Sequence, residues 1–139
     1  MEQIRLTVLG VPKAQARHKH FRRGKFSGTY DPSEDKKETL TDIVQSQAPE
    51  IPINAPIFLE LTFYMPRPKA YYGTGSKSEI LKDSAPEWHT SKPDGDNLEK
   101  FVTDSLNGIY YKDDSQICFV IRKKVYSERP RTEIVLTTL

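Results

Sequence analysis

Several things are scarce in this chain, and each scarcity removes a class of function. There is one cysteine, Cys118, so no disulfide framework can form within the chain, and the usage fits a reducing cytoplasm. Three histidines and that single cysteine show no zinc-ligand spacing. No apolar run approaches the roughly 20 residues of a membrane helix, and the opening MEQIRLTVLG is too short and too polar at its front for a signal peptide. The seven glycines form no phosphate-cradling loop, and no GxSxG nucleophile turn occurs. Acids are missing altogether from residues 3–30, while Arg5, Lys13, Arg17, Lys19, Arg22, Arg23 and Lys25 all fall there.

What remains is a chain of 139 residues, one domain by length, with a 36% hydrophobic fraction, mean hydropathy −0.64 and ten prolines. Its net charge of +2 conceals a pattern. A second basic group, Arg122, Lys123, Lys124, Arg129 and Arg131, has only Glu128 among it. Two basic ends around an acidic middle suit a polyanion held near a bound cation; ordinary solvated surface is the alternative. In the N-terminal group Phe21, Phe26 and Tyr30 interleave with the cations, as in segments that place rings near bases and cations near phosphates.

Alternation of apolar residues predicts strands over residues 4–9, 57–64, 116–126 and 132–138. Residues 13–28 have no period and read as an exposed basic loop. Asp31-Pro32-Ser33-Glu34 is a helix start, an acidic cap followed by proline at the first helical position, and the helix should run to about residue 47 with Leu40, Ile43 and Val44 inward. A second helix is predicted over 96–107 from the spacing of Leu98, Phe101, Val102, Ser105 and Leu106, with Gly108 as its stop. The expected fold is α/β (α+β), a mixed sheet with two main helices on one face in the order β-α-β-α-β-β. Residues 66–92 exceed a normal connection, and the preferred reading is a segment that orders over the site on binding.

The stretch from Lys92 to Gln116 carries the chemistry. Between Asp94 and Asp114 six acids, Asp94, Asp96, Glu99, Asp104, Asp113 and Asp114, stand with only two lysines, Lys100 and Lys112. Asp94 and Asp96 lead into the second helix, and Asp114 lies on the turn after the chain has reversed. If the three converge they would repel one another, and a divalent cation removes that cost. Mg²⁺ held by few carboxylates keeps open positions for a phosphate and a water. The structural alternative is helix capping by Asp94 or Asp96 and a polar turn at Asp113-Asp114. Lys100 falls one turn beyond Asp96, placed to meet phosphate charge or simply to pair with Asp96. An EF-hand reading fails, because Leu98, Glu99 and Ser105 stand where an oxygen ligand, a glycine and a bidentate glutamate are needed.

Lys92-Pro93-Asp94-Gly95-Asp96-Asn97-Leu98-Glu99-Lys100, then Asp104-Ser105-Leu106-Asn107-Gly108, then Asp113-Asp114-Ser115-Gln116-Ile117 resembles the signature of RusA-type Holliday junction resolvases, often carried by prophages. The resemblance implies an α/β homodimer that cuts four-way DNA junctions by paired symmetric nicks in recombination and repair, using Mg²⁺, with Mn²⁺ as a substitute. By position it makes Asp94, Asp96 and Asp114 the metal-binding acids, with Asp113 and Asn97 beside them, and Lys100 the catalytic lysine. Lys13, Arg17, Lys19, Arg22, Arg23, Lys25, Arg122 and Lys124 would then contact DNA phosphates, which position the duplex without reading its sequence. The segment 66–92 is longer than the family pattern. The rival readings are a catalytically silent DNA-binding protein of the same fold, a nuclease for flaps or single strands, and a metal-independent interaction module.

Overall fold

The computed structural model describes residues 2–15, 19–23, 26–30, 40 and 44–139. Six strands run Gln3–Leu9 (β1), Lys19–Arg23 (β2), Phe26–Tyr30 (β3), Ile57–Met65 (β4), Ile117–Tyr126 (β5) and Arg131–Thr138 (β6), with one long helix, Gly95–Leu106 (α1). Four strands form a mixed sheet in the order β1-β6-β4-β5. β6 pairs antiparallel with both β1 and β4, whereas β4 and β5 are parallel. A parallel pair needs a crossover, and α1 lies within it.

β4 is the centre because its alternation is complete. Ile57, Leu59, Leu61, Phe63 and Met65 are buried, and the intervening residues are half-buried. That inward face joins Leu6, Ile134 and Leu136 of the neighbouring strands to Leu98, Phe101, Val102 and Leu106 of α1 in one core. The three- and four-residue spacing of the helix residues is what turns them all to the sheet. α1 ends where Gly108 takes φ +80°, a conformation glycine adopts without strain. Just beyond, Tyr110 and Tyr111 are fully buried. Burial of a phenol requires a partner for its hydroxyl: Tyr110 donates to the Val44 carbonyl and Tyr111 to the Thr103 carbonyl at 2.7 Å.

Two expectations change. The basic segment 13–28 is not wholly a loop, since β2 and β3 form an antiparallel hairpin with Arg23 opposite Phe26. Cross-strand backbone pairing holds it without the apolar alternation on which the loop reading relied. The helix expected over 31–47 lies mostly outside the described residues; within them Leu40, Val44 and Gln45 are helical, and Leu40 and Val44 belong to the core. Among the described residues the fold is mixed α+β, a four-stranded mixed sheet with one main helix, and the hairpin adds two strands to the expected order β-α-β-α-β-β. The stretch 66–92 is organised by its own bonds, with short 3-10 turns at Lys69–Tyr71 and Gly75–Lys77 and a bridge from Tyr72 to Leu81. No helix among the described residues is long and apolar enough to cross a membrane.

Candidate active site

The two acidic pairs of the signature occupy opposite ends of α1. Asp94 is the N-cap residue and Asp96 lies in the first turn, both exposed. Asp94 has the extended backbone of a cap (φ −69°, ψ 148°), yet its side chain makes no capping hydrogen bond. The structural alternative for Asp94 is therefore not the one adopted. The loop before it is fixed from β5: Lys124 Nζ donates to the carbonyls of Ser91 and Pro93, each at 2.9 Å. Arg122 crosses the helix start, where a Cβ on Gly95 would come within 2.7 Å of its Nε, and its Nη1 donates to Glu99 at 3.1 Å. A side chain at Gly95 would therefore push the flexible Arg122 guanidinium aside. The segment after β1 also meets this end, through a hydrogen bond from the Gln15 amide to the Asn97 carbonyl at 3.0 Å, which brings exposed Lys13 into the neighbourhood.

At the other end, the structural reading holds for Asp113. Its carboxylate accepts from the Ser115 amide at 3.0 Å while Gln116 Oε1 accepts from the Asp113 amide, a reciprocal capping box. The bond from Ser115 holds the Asp113 carboxyl below the usual carboxylate range. Gln116 ties the turn down further, its Nε2 donating to Ile53 and Ala55 carbonyls at 2.8 and 3.0 Å. Asp114 opens the 3-10 turn beside it and is exposed. Burial raises the Tyr111 hydroxyl well above the ordinary tyrosine range, and the charges of Asp114, Asp104 and Asp113 add to that. These three acids therefore lie within electrostatic reach of Tyr111, whose hydroxyl is bonded to Thr103 in the last turns of α1.

The expected meeting of Asp94, Asp96 and Asp114 does not occur within one chain. Among the described residues no three histidine, cysteine, aspartate or glutamate side chains stand together as ligands of one metal ion. The reason is length: the 12 residues of α1 span about 18 Å at 1.5 Å each. Lys100 is exposed and pairs with Asp104 at 3.4 Å, one turn on, instead of with Asp96. Of the predicted phosphate contacts, Arg122 and Lys124 already serve Glu99 and two carbonyls; Lys19, Arg22 and Arg23 lie on β2; Arg17 and Lys25 fall outside the described residues. Glu99 and Asp104 were not singled out from sequence, although each sits one helical step from a residue that was.

The profile of the family described as Endodeoxyribonuclease RusA matches residues 10–137. The protein YqaN of Bacillus subtilis (strain 168) is 36% identical over 139 residues, covering 98% of this chain and 96% of the relative. A protein of Lactococcus phage r1t named crossover junction endodeoxyribonuclease rusA is 38% identical over 85 residues, 60% of this chain and 56% of the relative.

Proposed function

The chain belongs to the RusA endodeoxyribonuclease family, and from that premise we propose that it is a Mg²⁺-dependent, structure-selective endonuclease that resolves four-way DNA junctions by paired symmetric nicks as a homodimer. The observation that carries the reading is Asp94: an acid at a helix N-cap whose carboxylate is not spent on capping, with Asp96 one turn-step away and both open to solvent. Such hard oxygen donors fit Mg²⁺, with Mn²⁺ as a substitute. Bound there, the ion would polarise a phosphate and lower the pKa of an attacking water. Lys100, exposed and held only by an ion pair of little strength, can turn to meet the charge of a phosphate. Arg122 flanks the same helix end and adds phosphate attraction, and exposed Lys13 lies in the segment that Gln15 ties to Asn97.

The third acid favours a two-copy site. Asp114 stands across α1 from the other two, so a cation using all three draws Asp114 from a second chain. β5 supports this arrangement. It is an edge strand whose Phe119, Val120 and Ile121 are 53%, 36% and 42% exposed. His89 and Glu87 take the outward backbone groups of Lys124 and Tyr126, and by the same parity those of Val120 and Arg122 face this edge. Unpaired edges of this kind recruit strands. Antiparallel pairing of β5 with its copy about Val120 sets the Asp94 end of one chain against the partner's Asp114, and two sites related by a two-fold suit a junction of matching symmetry.

The test is nicking of a labelled four-way junction with and without Mg²⁺. Asp94→Asn and Asp114→Asn chains should each be inactive, and refolding them together should restore cutting of one strand, because each mixed dimer contains one intact site. A wild type that binds junctions without ever nicking them returns the catalytically silent reading. Active wild type without rescue in the mixture removes the two-copy site.

A further inference from the structure

The sheet face turned away from α1 holds a cleft that the nuclease chemistry does not use. It has a volume of about 480 Å³ and is lined by Thr62 and Tyr64 of β4, Lys123 of β5, Arg67, Glu87 and Trp88. That volume lies within the roughly 300–1,000 Å³ of small-ligand clefts. We propose that this cleft receives one unstacked nucleotide of the DNA strand, its base lying on Trp88 and its phosphate meeting Arg67 and Lys123. The identity of the ligand rests on the nuclease reading above; the geometry of the cleft does not.

Three observations converge on it. Trp88 is the chain's single tryptophan, and it is 55% exposed although its backbone is anchored. It bridges to Val125, and the residues on either side are tied to β5 by His89 N to Lys124 O at 3.0 Å and Tyr126 N to Glu87 O at 2.9 Å. A scattered exposed hydrophobe needs no explanation, but a rigidly mounted indole forgoes the large gain of burial unless something covers it. The second observation is Arg67, whose Nε is shut off from solvent with no hydrogen-bond partner among the described residues. A shielded donor without an acceptor is costly, and a phosphate oxygen is the acceptor a guanidinium suits best. The third is the rigidity of the wall. Arg131 stacks 3.6 Å over the Tyr64 ring and donates to Glu133 at 2.9 Å, so Tyr64 is held in place.

The donor set selects the ligand. An aromatic face accepts any base by stacking, and cations take the backbone, the combination found where single strands are bound. Glu87 disfavours a bare anion filling the whole cleft and can accept from an amino group on a base edge, as acids do with cytosine. Position agrees: Asp94 is only six positions on from Trp88, at most about 20 Å of chain, and Lys124 draws the end of that connection against β5. A strand cut near Asp94 can place a neighbouring nucleotide in the cleft, and a branch point is where duplex DNA offers one unstacked.

Because there is one tryptophan, its fluorescence reports on the cleft directly. Metal-free protein, kept in EDTA, is titrated with a single-stranded (dC)₈ oligonucleotide, with a blunt duplex, and with inorganic phosphate. Saturable quenching by the single strand, weaker for the duplex and absent with phosphate, is expected. Labelled-oligonucleotide anisotropy should then show binding weakened about 5- to 150-fold by Trp88→Ala, the range for loss of one stacked base, less by Trp88→Phe, and several-fold by Arg67→Ala. Equal quenching by phosphate alone, equal quenching by duplex, or unchanged binding by a Trp88→Ala protein of normal melting temperature overturns the proposal. Junction nicking by wild type that shows no quenching sinks the cleft and leaves the nuclease standing, while quenching without nicking does the reverse.

Discussion

The two ends of α1 carry the same side chain and use it differently. At the C-terminal end Asp113 is consumed by the fold, its carboxylate closing a capping box with Ser115 and Gln116. At the N-terminal end Asp94 occupies a position where aspartate ordinarily caps, and does not. Both belong to acidic pairs with a lysine close by in sequence, Lys100 after the first and Lys112 before the second, and no count of charges separates them. What separates them is where the bonds go. At the N-terminal end Lys124 fixes the approaching loop by donating to the Ser91 and Pro93 carbonyls, and the Asp94 carboxylate makes no capping bond, so it remains available.

That contrast is broken most directly by neutralising each acid. Asp94→Asn or Asp96→Asn should reduce junction nicking by at least ~10²-fold, a loss of several kcal/mol of charge stabilisation at the reacting phosphate. Either change should alter stability little, since an exposed acid at a helix N-terminus contributes about 0.3–1 kcal/mol through the helix dipole. Asp113→Ala should do the opposite, lowering the melting temperature by a few degrees while nicking at a temperature below the transition persists. A melting temperature that moves equally for all three variants would erase the difference between the ends.

A smaller effect sharpens it from the side of the cations. Lys124→Met removes two hydrogen bonds that set the approach to Asp94, so it should slow nicking by roughly tenfold, the equivalent of 1.4 kcal/mol of lost positioning. Its salt dependence of junction binding should match wild type. Arg122→Ala should instead lower the slope of log K against log salt by about 0.9, the value for one phosphate contact. A reduced slope in Lys124→Met would return that lysine to the DNA surface.

The smallest effect concerns His89, buried next to the same loop and edge-on to Tyr126 at 5.0 Å. Burial first, and the Lys124 cation second, hold its imidazole below the ordinary histidine value of 6.5. The folded protein therefore keeps His89 neutral while the unfolded chain takes up a proton, so stability is full above pH 6.5 and falls as pH drops through and below it. Melting temperatures at pH 7.5 and 5.5 should differ less in His89→Asn than in wild type. An unchanged difference would mean that His89 stays neutral in neither state or in both.

Period and punctuation made most of this fold legible. The strict alternation from Ile57 to Met65, the helical spacing from Leu98 to Leu106 and the stop at Gly108 each state a burial pattern that the packing then obeys. The hairpin of β2 and β3 was not legible as apolar alternation, because Phe21, Phe26 and Tyr30 stand among cations and small polar residues; the available signal was a Gly-x dipeptide, Gly24-Lys25, between two runs of matching length. The family signature was plain, and so were its acids. Their expected convergence fails on length, which spacing does not show: a helix of 12 residues keeps apart whatever stands at its two ends. The roles of Lys124 and Gln116 as anchors could not be read at all, because a side chain's partners in distant segments leave no trace in spacing.

β6 lies between β1 and β4 and supplies all the hydrogen bonding that joins them. In the order of biosynthesis it comes after every residue of the acidic motif. Until residues 131–138 have left the ribosome, the amino-terminal strand has nothing to add to, and Ile134 and Leu136 are missing from the core that α1 packs into. A nascent chain thus displays the complete signature of a nuclease with no platform to aim it, and competence arrives abruptly with the insertion of one late strand.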